Sequence, residues 1–346
     1  MSIVMTGGGT GGHLAIIKAV KEQISDKELI YIGSTKGQDK AWFENDIDFK
    51  EKYFLKTRGV VNQGFIGKIK SIFMLIRATK EAMRLLDKHN AKVVFSVGGF
   101  SSAPTAFASK IKRIPLIIHE QNASMGSLNK LLKPYANRFI SSYLEESPIK
   151  AYPIKDVFFK NAHIRESVKS IIFLGGSQGA KAINNLAISL ASKLNEKGIK
   201  IIHQAGENNI KEIKEEYKKL NIEATVFGFT TKLDEYMNSA DFAIARAGAS
   251  TLWELSASGI PTLYIPYPYA SSDHQYYNAK YFVDKDLSWI MREDKINETK
   301  ILEILTEDMS IKSRGLLDIV ERDGSKKIAK LLEKVGIIDK DDYKEK

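Results

Sequence analysis

Two glycine-rich loops are the residues of this chain best suited to chemistry. One lies within residues 2–20, SIVMTGGGTGGHLAIIKAV, and the other within residues 170–187, SIIFLGGSQGAKAINNLA. Each loop joins an apolar strand to an amphipathic helix. Glycine leaves backbone N–H groups accessible, and a helix N-terminus carries partial positive charge, so the pattern favours an anion, usually a phosphate. The sequence therefore predicts two phosphate-binding loops about half a chain apart.

A second pair of segments repeats in the same order. Residues 93–120 and residues 242–268 each read as strand, small-residue turn, helix, Ile-Pro and strand. Two repeats in one order indicate two similar α/β domains. Alternating strands and helices predict parallel sheets covered on both faces. We therefore expect two Rossmann-like, doubly wound domains that face a shared cleft.

The domain limits follow from composition. We predict an N-terminal domain over residues 1–155 and a C-terminal domain over 156–330, joined by the proline-containing stretch 145–167. Residues 331–346 are interpreted as a tail that can return to the N-terminal domain as a helix. The chain starts directly with a strand, and no apolar run approaches the ~20 residues that span a bilayer. A soluble cytoplasmic protein is expected.

Charge is distributed unevenly along the chain. Residues 1–155 contain 24 Lys and Arg against 13 Asp and Glu, whereas the remainder contains 28 against 29, within a formal net charge of +10. A basic domain favours a polyanion: nucleic acid, an anionic membrane surface or a phosphorylated substrate. No aromatic and basic recognition motif is present, so a nucleic-acid partner is not expected. The absence of cysteine excludes disulfides and thiolate nucleophiles.

The first glycine loop matches two phosphate motifs only in part. Residues 7–12 satisfy the dinucleotide pattern G-x-G-x-x-G, but the second strand, LIYIG, ends at Gly33-Ser34 without the acidic residue that holds a ribose. A nicotinamide enzyme is therefore disfavoured, and the lack of G-K-[ST] excludes a P-loop. His13 ends the loop, where an imidazole can accept a proton near neutral pH. The alternative is a histidine that only caps the helix.

Polar side chains of the second half are candidate ligand contacts. Glu254 follows a small-residue turn on a predicted helix, where a carboxylate can accept hydrogen bonds from the vicinal hydroxyls of a ribose. The alternative is an ordinary surface glutamate. Ser177 and Gln178 lie in the second glycine loop, where a diphosphate would bind. A polar cluster at 273–278 follows strand TLYIP, at the edge where doubly wound sheets bind ligands.

Two D-x-D triplets contain the carboxylate pairs that can hold a metal ion. They are Asp46/Asp48 and Asp284/Asp286, and both lie in charged stretches that do not follow a clear apolar strand. No metal site is expected from them. Without a cation, helix dipoles and backbone N–H groups must stabilise a diphosphate leaving group.

Six motifs in one order resemble a known family. They are TGGGTGGH at 6–13, SVGGFSSAP at 96–104, HEQNA at 119–123, GGSQGA at 175–180, RAGAST at 246–251 and DHQYYNA at 273–279. From residue 3 to about 330 the chain resembles the bacterial UDP-N-acetylglucosamine–lipid I transferases, the MurG family of glycosyltransferase family 28. The resemblance implies a GT-B fold and metal-independent, inverting transfer of N-acetylglucosamine (GlcNAc) from UDP-GlcNAc to the muramyl 4-hydroxyl of lipid I, giving lipid II. No cofactor is implied.

The same resemblance assigns roles to residues. Glu254 would hold the ribose, and Ser177 and Gln178 the diphosphate. The remaining donor contacts would be Phe229 and Thr230 beside the uracil, Ala249, Ser250 and Thr251 at a helix start, and His274 and Gln275 at the sugar. Contacts from the N-terminal side would be Thr10, Gly11, Gly12, His13, Asn122 and Lys155. His13 is the first candidate for the base and Glu120 the second.

Three positions depart from the family pattern. Phe100 stands where an aromatic hydroxyl is usual, and Tyr152-Pro153-Ile154-Lys155 replaces Asn-Pro-Val-Arg. Lys155 keeps the positive charge without the bidentate fork of arginine. No proline follows His13 closely, although the family usually has one there.

The segment 64–80, GFIGKIKSIFMLIRATK, combines apolar and basic side chains at helical spacing. Its apolar members include Ile66, Ile69 and Phe73, and its basic members include Lys68, Lys70 and Arg77. Such a helix can lie on an anionic membrane surface, and the alternative is a helix that faces its own core. The resemblance implies a peripheral protein at the cytoplasmic face of the inner membrane, with cell-wall and division machinery among its partners.

Three other functions remain open on sequence alone. A GT-B lipid glycosyltransferase with another acceptor, such as diacylglycerol, would share these loops. A UDP-GlcNAc 2-epimerase would have a similar fold without needing a lipid. A nucleotide-binding module without catalysis would bind the nucleotide and release no UDP.

Overall fold

Parallel strands alternate with helices throughout residues 1–57, 64–176 and 179–337, which a computed structural model describes. The chain forms two units, Met1–Ile154 with Asp323–Lys346 and Lys155–Arg322. The units divide one residue before the expected boundary at 155. The second unit ends at 322 rather than 330 because the last helix belongs to the first unit.

The first unit contains a six-stranded parallel sheet. Its strands are β1 (Ser2–Thr6), β2 (Glu28–Ser34), β3 (Glu51–Leu55), β4 (Ala91–Ser96), β5 (Leu116–Glu120) and β6 (Arg138–Ser141), in the order β3-β2-β1-β4-β5-β6. The two central strands, β1 and β4, are almost wholly buried. Burial on both faces explains their apolar sequences, since every residue of the two strands except Lys92 is buried.

Helices cover this first sheet. They are α1 (Gly11–Lys21), α2 (Asp39–Phe43), α3 (Phe65–Lys88), α4 (Ala103–Lys112) and α5 (Ser127–Leu132), with a short 3-10 turn at Lys133–Tyr135. Helix α1 begins after Thr10, whose backbone is extended, and Lys18 and Lys21 in its last turn favour the negative end of the helix dipole. The glycine loop therefore leads straight into a helix N-terminus, as predicted.

The second unit repeats this arrangement. Its strands are β7 (Ser170–Leu174), β8 (Lys200–Gln204), β9 (Ala224–Phe227), β10 (Phe242–Ala245), β11 (Thr262–Tyr264) and β12 (Trp289–Ile290), in the order β12-β11-β10-β7-β8-β9. Its helices are α6 (Val157–Lys160), α7 (Lys181–Glu196), α8 (Ile210–Lys219), α9 (Leu233–Asn238), α10 (Ala249–Ala257), α11 (His274–Val283), α12 (Glu298–Ile304) and α13 (Ser310–Ile319). Three-residue 3-10 turns lie at Glu207–Asn209, Ser271–Asp273 and Glu293–Lys295.

Both sheets have the doubly wound strand order, in which the first strand of the unit pairs with its second and fourth strands. The predicted fold class, two Rossmann-like parallel α/β domains, is confirmed. The final helix, α14 (Gly324–Ile337), packs against α1 and β4 of the first unit. The predicted linker at 145–167 is not wholly irregular, since it includes the short helix α6.

Candidate active site

The carboxyl edge of the first sheet brings three predicted motifs together. The loops after β1, β4 and β5 contain residues 7–13, 97–102 and 121–126, and the strand order reverses between β1 and β4, the place where doubly wound sheets bind ligands. The first two loops touch through backbone, because a Cβ on Gly99 would lie 2.6 Å from the carbonyl oxygen of Gly8. Only glycine permits this approach, which explains the small residues in both motifs.

A buried carboxylate that the sequence did not reveal holds these loops. Asp39 is fully buried and accepts hydrogen bonds from Gly9 N (2.6 Å), Ser34 N (2.9 Å), the Tyr31 hydroxyl (3.1 Å) and the Ser101 hydroxyl. Burial, followed by the charge of Asp39, raises the pKa of Tyr31 well above its usual value. The side chain thus joins the loops after β1, β2 and β4.

The position of Asp39 differs from two expectations, that no acidic residue follows β2 and that the first glycine loop offers bare N–H groups. An acidic residue does follow β2, five residues after Ser34, but its carboxylate is enclosed by protein donors and is not presented to a ribose. The first glycine loop does not offer only bare N–H groups, because that of Gly9 is already donated to Asp39. An anion at this loop would therefore rely on the remaining N–H groups and on the N-terminus of α1.

His13 lies in the first turn of α1, and each of its ring nitrogens contacts another side chain. Its Nδ1 is 2.8 Å from Thr10 Oγ1, and its Nε2 is 3.0 Å from Gln121 Nε2. The two contacts hold the imidazole from both sides and fix the direction of the ring. The fold thus presents an imidazole whose Nε2 faces the residue that follows β5.

Neighbouring groups are less suited to act as the base. Glu120 is buried, and its two oxygens accept hydrogen bonds from Asn122 N (2.9 Å), Gly126 N (2.9 Å) and Asn129 Nδ2 (3.0 Å), with a longer contact from Asn122 Nδ2 (3.4 Å). This carboxylate shapes the turn that carries Asn122. His119 is buried in β5, and burial lowers its pKa to about 3, so it stays neutral inside the sheet.

The departures from the family pattern have local consequences. The ring of Phe100 lies over the first glycine loop, 2.7 Å from where a Cβ of Gly9 would be, and offers no hydroxyl there. Tyr152 packs edge-on against His119 with ring centroids 5.6 Å apart. Lys155 begins the second unit, where its charge acts on Glu254.

The second unit presents the donor candidates at the carboxyl edge of its own sheet. Residues 175–176 and 179–180 follow β7, and the segments 228–230, 246–251 and 265–275 follow β9, β10 and β11. In the first of these, Gly176 and Gly179 have positive φ angles of 83° and 78°. Ser177 and Gln178, the two predicted diphosphate contacts, lie outside the described residues.

Glu254 lies on α10 and is partly exposed. Burial of its carboxyl group raises the pKa of Glu254 to about 7, and the nearby charge of Lys155 opposes that rise. Ala249, Ser250 and Thr251 form the first turn of the same helix, after an extended Gly248. One helix therefore places a desolvated carboxylate behind an N-terminus that favours anions.

Residues 271–278 form the second part of this edge. His274 Nδ1 donates to the Ser271 carbonyl (2.8 Å), which leaves its Nε2 lone pair available, and Gln275 Oε1 accepts from Tyr267 N (2.9 Å). Asn278 Nδ2 donates to the Ala247 carbonyl at 3.2 Å and so joins α11 to the turn before α10. The structure thus brings the 246–251 and 273–279 motifs together.

Phe229 and Thr230 follow β9 in a turn held by polar contacts. Phe229 N donates to Glu207 Oε2 (3.0 Å), while the Phe229 ring remains 62% exposed. Thr230 Oγ1 accepts from Lys232 N at 3.0 Å. The turn is fixed by protein contacts while its aromatic side chain is free to cover a planar ligand.

Lysines neutralise the acidic triplets. Lys21 contacts Asp46 (2.6 Å) and Asp48 (2.7 Å), Lys280 contacts Asp284 (2.6 Å), and Lys312 contacts Asp286 (2.5 Å). Within residues 1–57, 64–176 and 179–337, no group of three or more His, Cys, Asp or Glu side chains is arranged to hold a metal ion. The triplets therefore act as partners of lysine.

Helix α3 exposes part of the predicted membrane segment. Ile69 is 42% exposed, Phe73 69% and Ile76 49%, and Lys70 and Arg77 are exposed beside them. The alternative in which these apolar residues face the core is wrong, because small side chains such as Ala78 and Ala82 form the buried side of the helix. The side chains of Ile66 and Lys68 lie outside the described part. No described helix is long and apolar enough to cross a bilayer.

Comparisons with known proteins agree with these two units. The model of the glycosyltransferase family 28 N-terminal domain matches residues 3–141, and that of the family 28 C-terminal domain matches residues 170–332. The UDP-N-acetylglucosamine--N-acetylmuramyl-(pentapeptide) pyrophosphoryl-undecaprenol N-acetylglucosamine transferase of Sulfurovum sp. (strain NBC37-1) is 69% identical over 332 residues, covering 96% of this chain and 98% of the relative. The transferase of the same name from Sulfurimonas denitrificans is 51% identical over 95% of this chain and 97% of its own length.

Solved structures share the fold. MurG of Acinetobacter baumannii aligns with a TM-score of 0.79 at 24% identity, covering 96% of this chain and 99% of that one. A UDP-GlcNAc 2-epimerase from Neisseria meningitidis, bound to UDP-GlcNAc, aligns with a TM-score of 0.62 at 12% identity, covering 97% of this chain and 99% of that one. The likeness to an epimerase explains why fold alone left that alternative open.

Proposed function

Because this chain belongs to glycosyltransferase family 28, we propose roles for its residues in the reaction of its relatives. The chain is a UDP-GlcNAc glycosyltransferase that transfers N-acetylglucosamine to lipid I and forms lipid II. The observation that carries this function is 69% identity over 96% of the chain to a transferase of that name. The diacylglycerol transferase and the epimerase are disfavoured.

The test of this function is UDP release from UDP-GlcNAc with and without a short-chain lipid I analogue. We expect release that depends on the analogue. Release with diacylglycerol in place of the analogue would indicate the other lipid glycosyltransferase. Conversion of UDP-GlcNAc to its 2-epimer without lipid would indicate the epimerase, and binding without UDP release would indicate a module without catalysis.

In the proposed mechanism His13 is the general base. Its Nε2 accepts the proton of the muramyl 4-hydroxyl, and the oxygen attacks the anomeric carbon in line with departing UDP, which inverts that centre. The contacts of Nδ1 with Thr10 and of Nε2 with Gln121 support this role, because they fix the direction of the ring. Gln121 would yield its place at Nε2 to the acceptor hydroxyl. Glu120 positions Asn122 through the turn that it holds.

The proposed donor site uses the second unit. Glu254 accepts hydrogen bonds from the ribose hydroxyls, the 175–180 loop and the N-terminus of α10 bind the diphosphate, and Phe229 with Thr230 borders the uracil. At the sugar, His274 accepts through Nε2 and Gln275 donates through its amide, because its carbonyl oxygen is already used by Tyr267 N. Lys155 balances the charge of Glu254.

Turnover is expected to survive chelation. The acidic triplets are paired with lysines, and backbone N–H groups of a glycine loop and a helix N-terminus can stabilise the departing diphosphate. Saturating EDTA should therefore leave the rate of UDP release nearly unchanged. Activity that is lost in EDTA and restored only by Mg²⁺ or Mn²⁺ would contradict this prediction.

We propose that the exposed face of α3 binds the membrane that holds the acceptor. An anionic bilayer would attract Lys70 and Arg77, while Ile69 and Phe73 would enter the interface. Ile69, Phe73 and Ile76 are exposed together at helical spacing, and this apolar patch supports the role, since contiguous exposed patches mark interaction sites. The protein would then be peripheral at the cytoplasmic face of the inner membrane, close to cell-wall and division machinery.

Replacing both Ile69 and Phe73 with serine should weaken binding to anionic vesicles and slow turnover of a long-chain lipid acceptor. UDP affinity should not change, because the donor candidates belong to the other unit. Sedimentation with vesicles of anionic lipid measures the loss, and Ile311→Ser, which removes another exposed apolar side chain, is the matched control. Wild-type vesicle binding by the double variant would place the membrane contact elsewhere.

A further inference from the structure

A chain of buried polar side chains lies beneath the second glycine loop. His203 Nε2 is 3.0 Å from Asn184 Oδ1, and His203 Nδ1 is 3.0 Å from the Tyr217 hydroxyl. All three side chains are less than a tenth exposed. They connect α7, β8 and α8, and none of them has a role in the mechanism above.

The direction of each hydrogen bond among Asn184, His203 and Tyr217 is fixed. Asn184 Nδ2 donates to the Ala205 carbonyl (3.1 Å), so Asn184 Oδ1 is the acceptor for His203. His203 must then carry its proton on Nε2, and its Nδ1 accepts from the Tyr217 hydroxyl. Burial lowers the pKa of His203 to about 4, which keeps the ring in this neutral form. One arrangement of protons therefore satisfies the hydrogen bonds of all three side chains.

This network of three side chains ends at the Ala205 carbonyl, which contacts the second glycine loop at Gly179. A Cβ added to Gly179 would lie 2.3 Å from the Ala205 oxygen, so that oxygen limits how deeply the loop can approach the sheet. The same oxygen accepts from Asn209 Nδ2 at 3.2 Å. The neighbouring Gln204 donates to the Gly228 carbonyl (3.4 Å), in the turn before Phe229. The end of β8 thus contacts Gly179 of the second glycine loop and Gly228 in the turn before Phe229.

We propose that Asn184, His203 and Tyr217 are positioning residues for the donor diphosphate, acting through the Ala205 carbonyl on Gly179 of the second glycine loop. This inference rests on the proposed function of that loop. A buried polar network is costly when some of its hydrogen bonds are missing. When all of them are made, the network holds its members in one geometry. A fixed geometry is what a phosphate-binding loop requires, because small displacements of binding groups are costly.

The test compares the affinities of UDP and UMP, since only UDP reaches the loop with a second phosphate. Calorimetry on the full chain should show that Asn184→Ala weakens UDP about tenfold and UMP less than about twofold, because the Ala205 oxygen loses a buried donor. Tyr217→Phe keeps the ring and removes only the terminal hydroxyl. It should give a smaller loss of the same kind and serves where Asn184→Ala fails to fold.

Ser313→Ala is the matched control, because it removes two buried hydrogen bonds of the same unit, far from the loop along the chain. The Ser313 hydroxyl donates to the Gly259 carbonyl and accepts from Arg165 N. It should lower the melting temperature and leave the UDP-to-UMP ratio unchanged. If wild type prefers UDP and both network variants keep its ratio, the positioning role is overturned and the loop assignment stands. If wild type does not prefer UDP over UMP, the proposed role of the loop fails first.

Discussion

Replacing His13 with alanine is expected to lower kcat at least ~100-fold, the lower limit for losing a positioned general base. The reason is that the proposed mechanism uses His13 Nε2 as the proton acceptor, on a ring that Thr10 and Gln121 hold in place. UDP affinity should stay within about twofold of wild type, since the donor candidates lie in the other unit. Single-turnover kinetics with a lipid I analogue, together with calorimetry for UDP, measure both effects.

Two further variants make the His13 result specific. His163→Ala removes an exposed histidine whose Nδ1 contacts the Asn161 carbonyl and should leave kcat unchanged. Gln121→Ala should lower kcat less than the loss of His13 and should leave the base intact, because Gln121 only orients the ring. A nearly normal kcat in His13→Ala would transfer the role of base to Glu120 or to water.

Local patterns were enough to predict much of this molecule. The glycine loops, their helices and the order of the repeated segments follow from residues adjacent in the chain, and they determine the doubly wound topology. The edge strands β3, β6 and β12 have a weaker sequence pattern: β3 is largely half-exposed, β6 has four residues and β12 has two. Short edge strands lack the long apolar runs that mark central strands.

The arrangement of the site depends on contacts between distant residues. Asp39 is bonded to Ser101, 62 positions away, and His13 to Gln121, 108 positions away. Nothing in the loop KGQDK separates a buried carboxylate from a solvated one, so its role required the fold. The membrane segment shows the same limit, because an apolar stripe at helical spacing fits a core or a lipid surface equally well. The exposure of Ile69, Phe73 and Ile76 excludes the core, and contact with lipid is our proposal for that surface.

Replacing Glu254 with alanine is expected to weaken UDP and UDP-GlcNAc alike by about 1.5–3 kcal/mol, the usual worth of a hydrogen bond to a charged group. This corresponds to roughly 10- to 150-fold in Kd. The proposed ribose contact is common to both ligands, so a loss restricted to UDP-GlcNAc would place Glu254 at the sugar instead. Unchanged affinity for both would remove Glu254 from the site.

The pH dependence gives a sharper test of the same carboxylate. Burial raises the pKa of Glu254 to about 7, and the ionised form is the better acceptor for two hydroxyls. Affinity for UDP-GlcNAc, whose diphosphate does not titrate near neutrality, should therefore rise as pH increases from 6 to 8. Glu254→Gln cannot ionise and should remove the part of this rise that belongs to Glu254.

The free energy of unfolding of the ligand-free protein should fall over the pH range in which affinity for UDP-GlcNAc rises. A carboxyl group whose pKa is raised by folding favours the folded state while it is protonated, and that contribution is lost as pH rises from the unfolded value through the folded value of about 7. At pH 8 the ligand-free protein holds a desolvated charge, so Glu254→Gln should raise the melting temperature there and have little effect at pH 5. Weaker donor binding together with higher stability would identify Glu254 as a residue kept for its ligand, whereas a loss of both would indicate an ordinary structural contact.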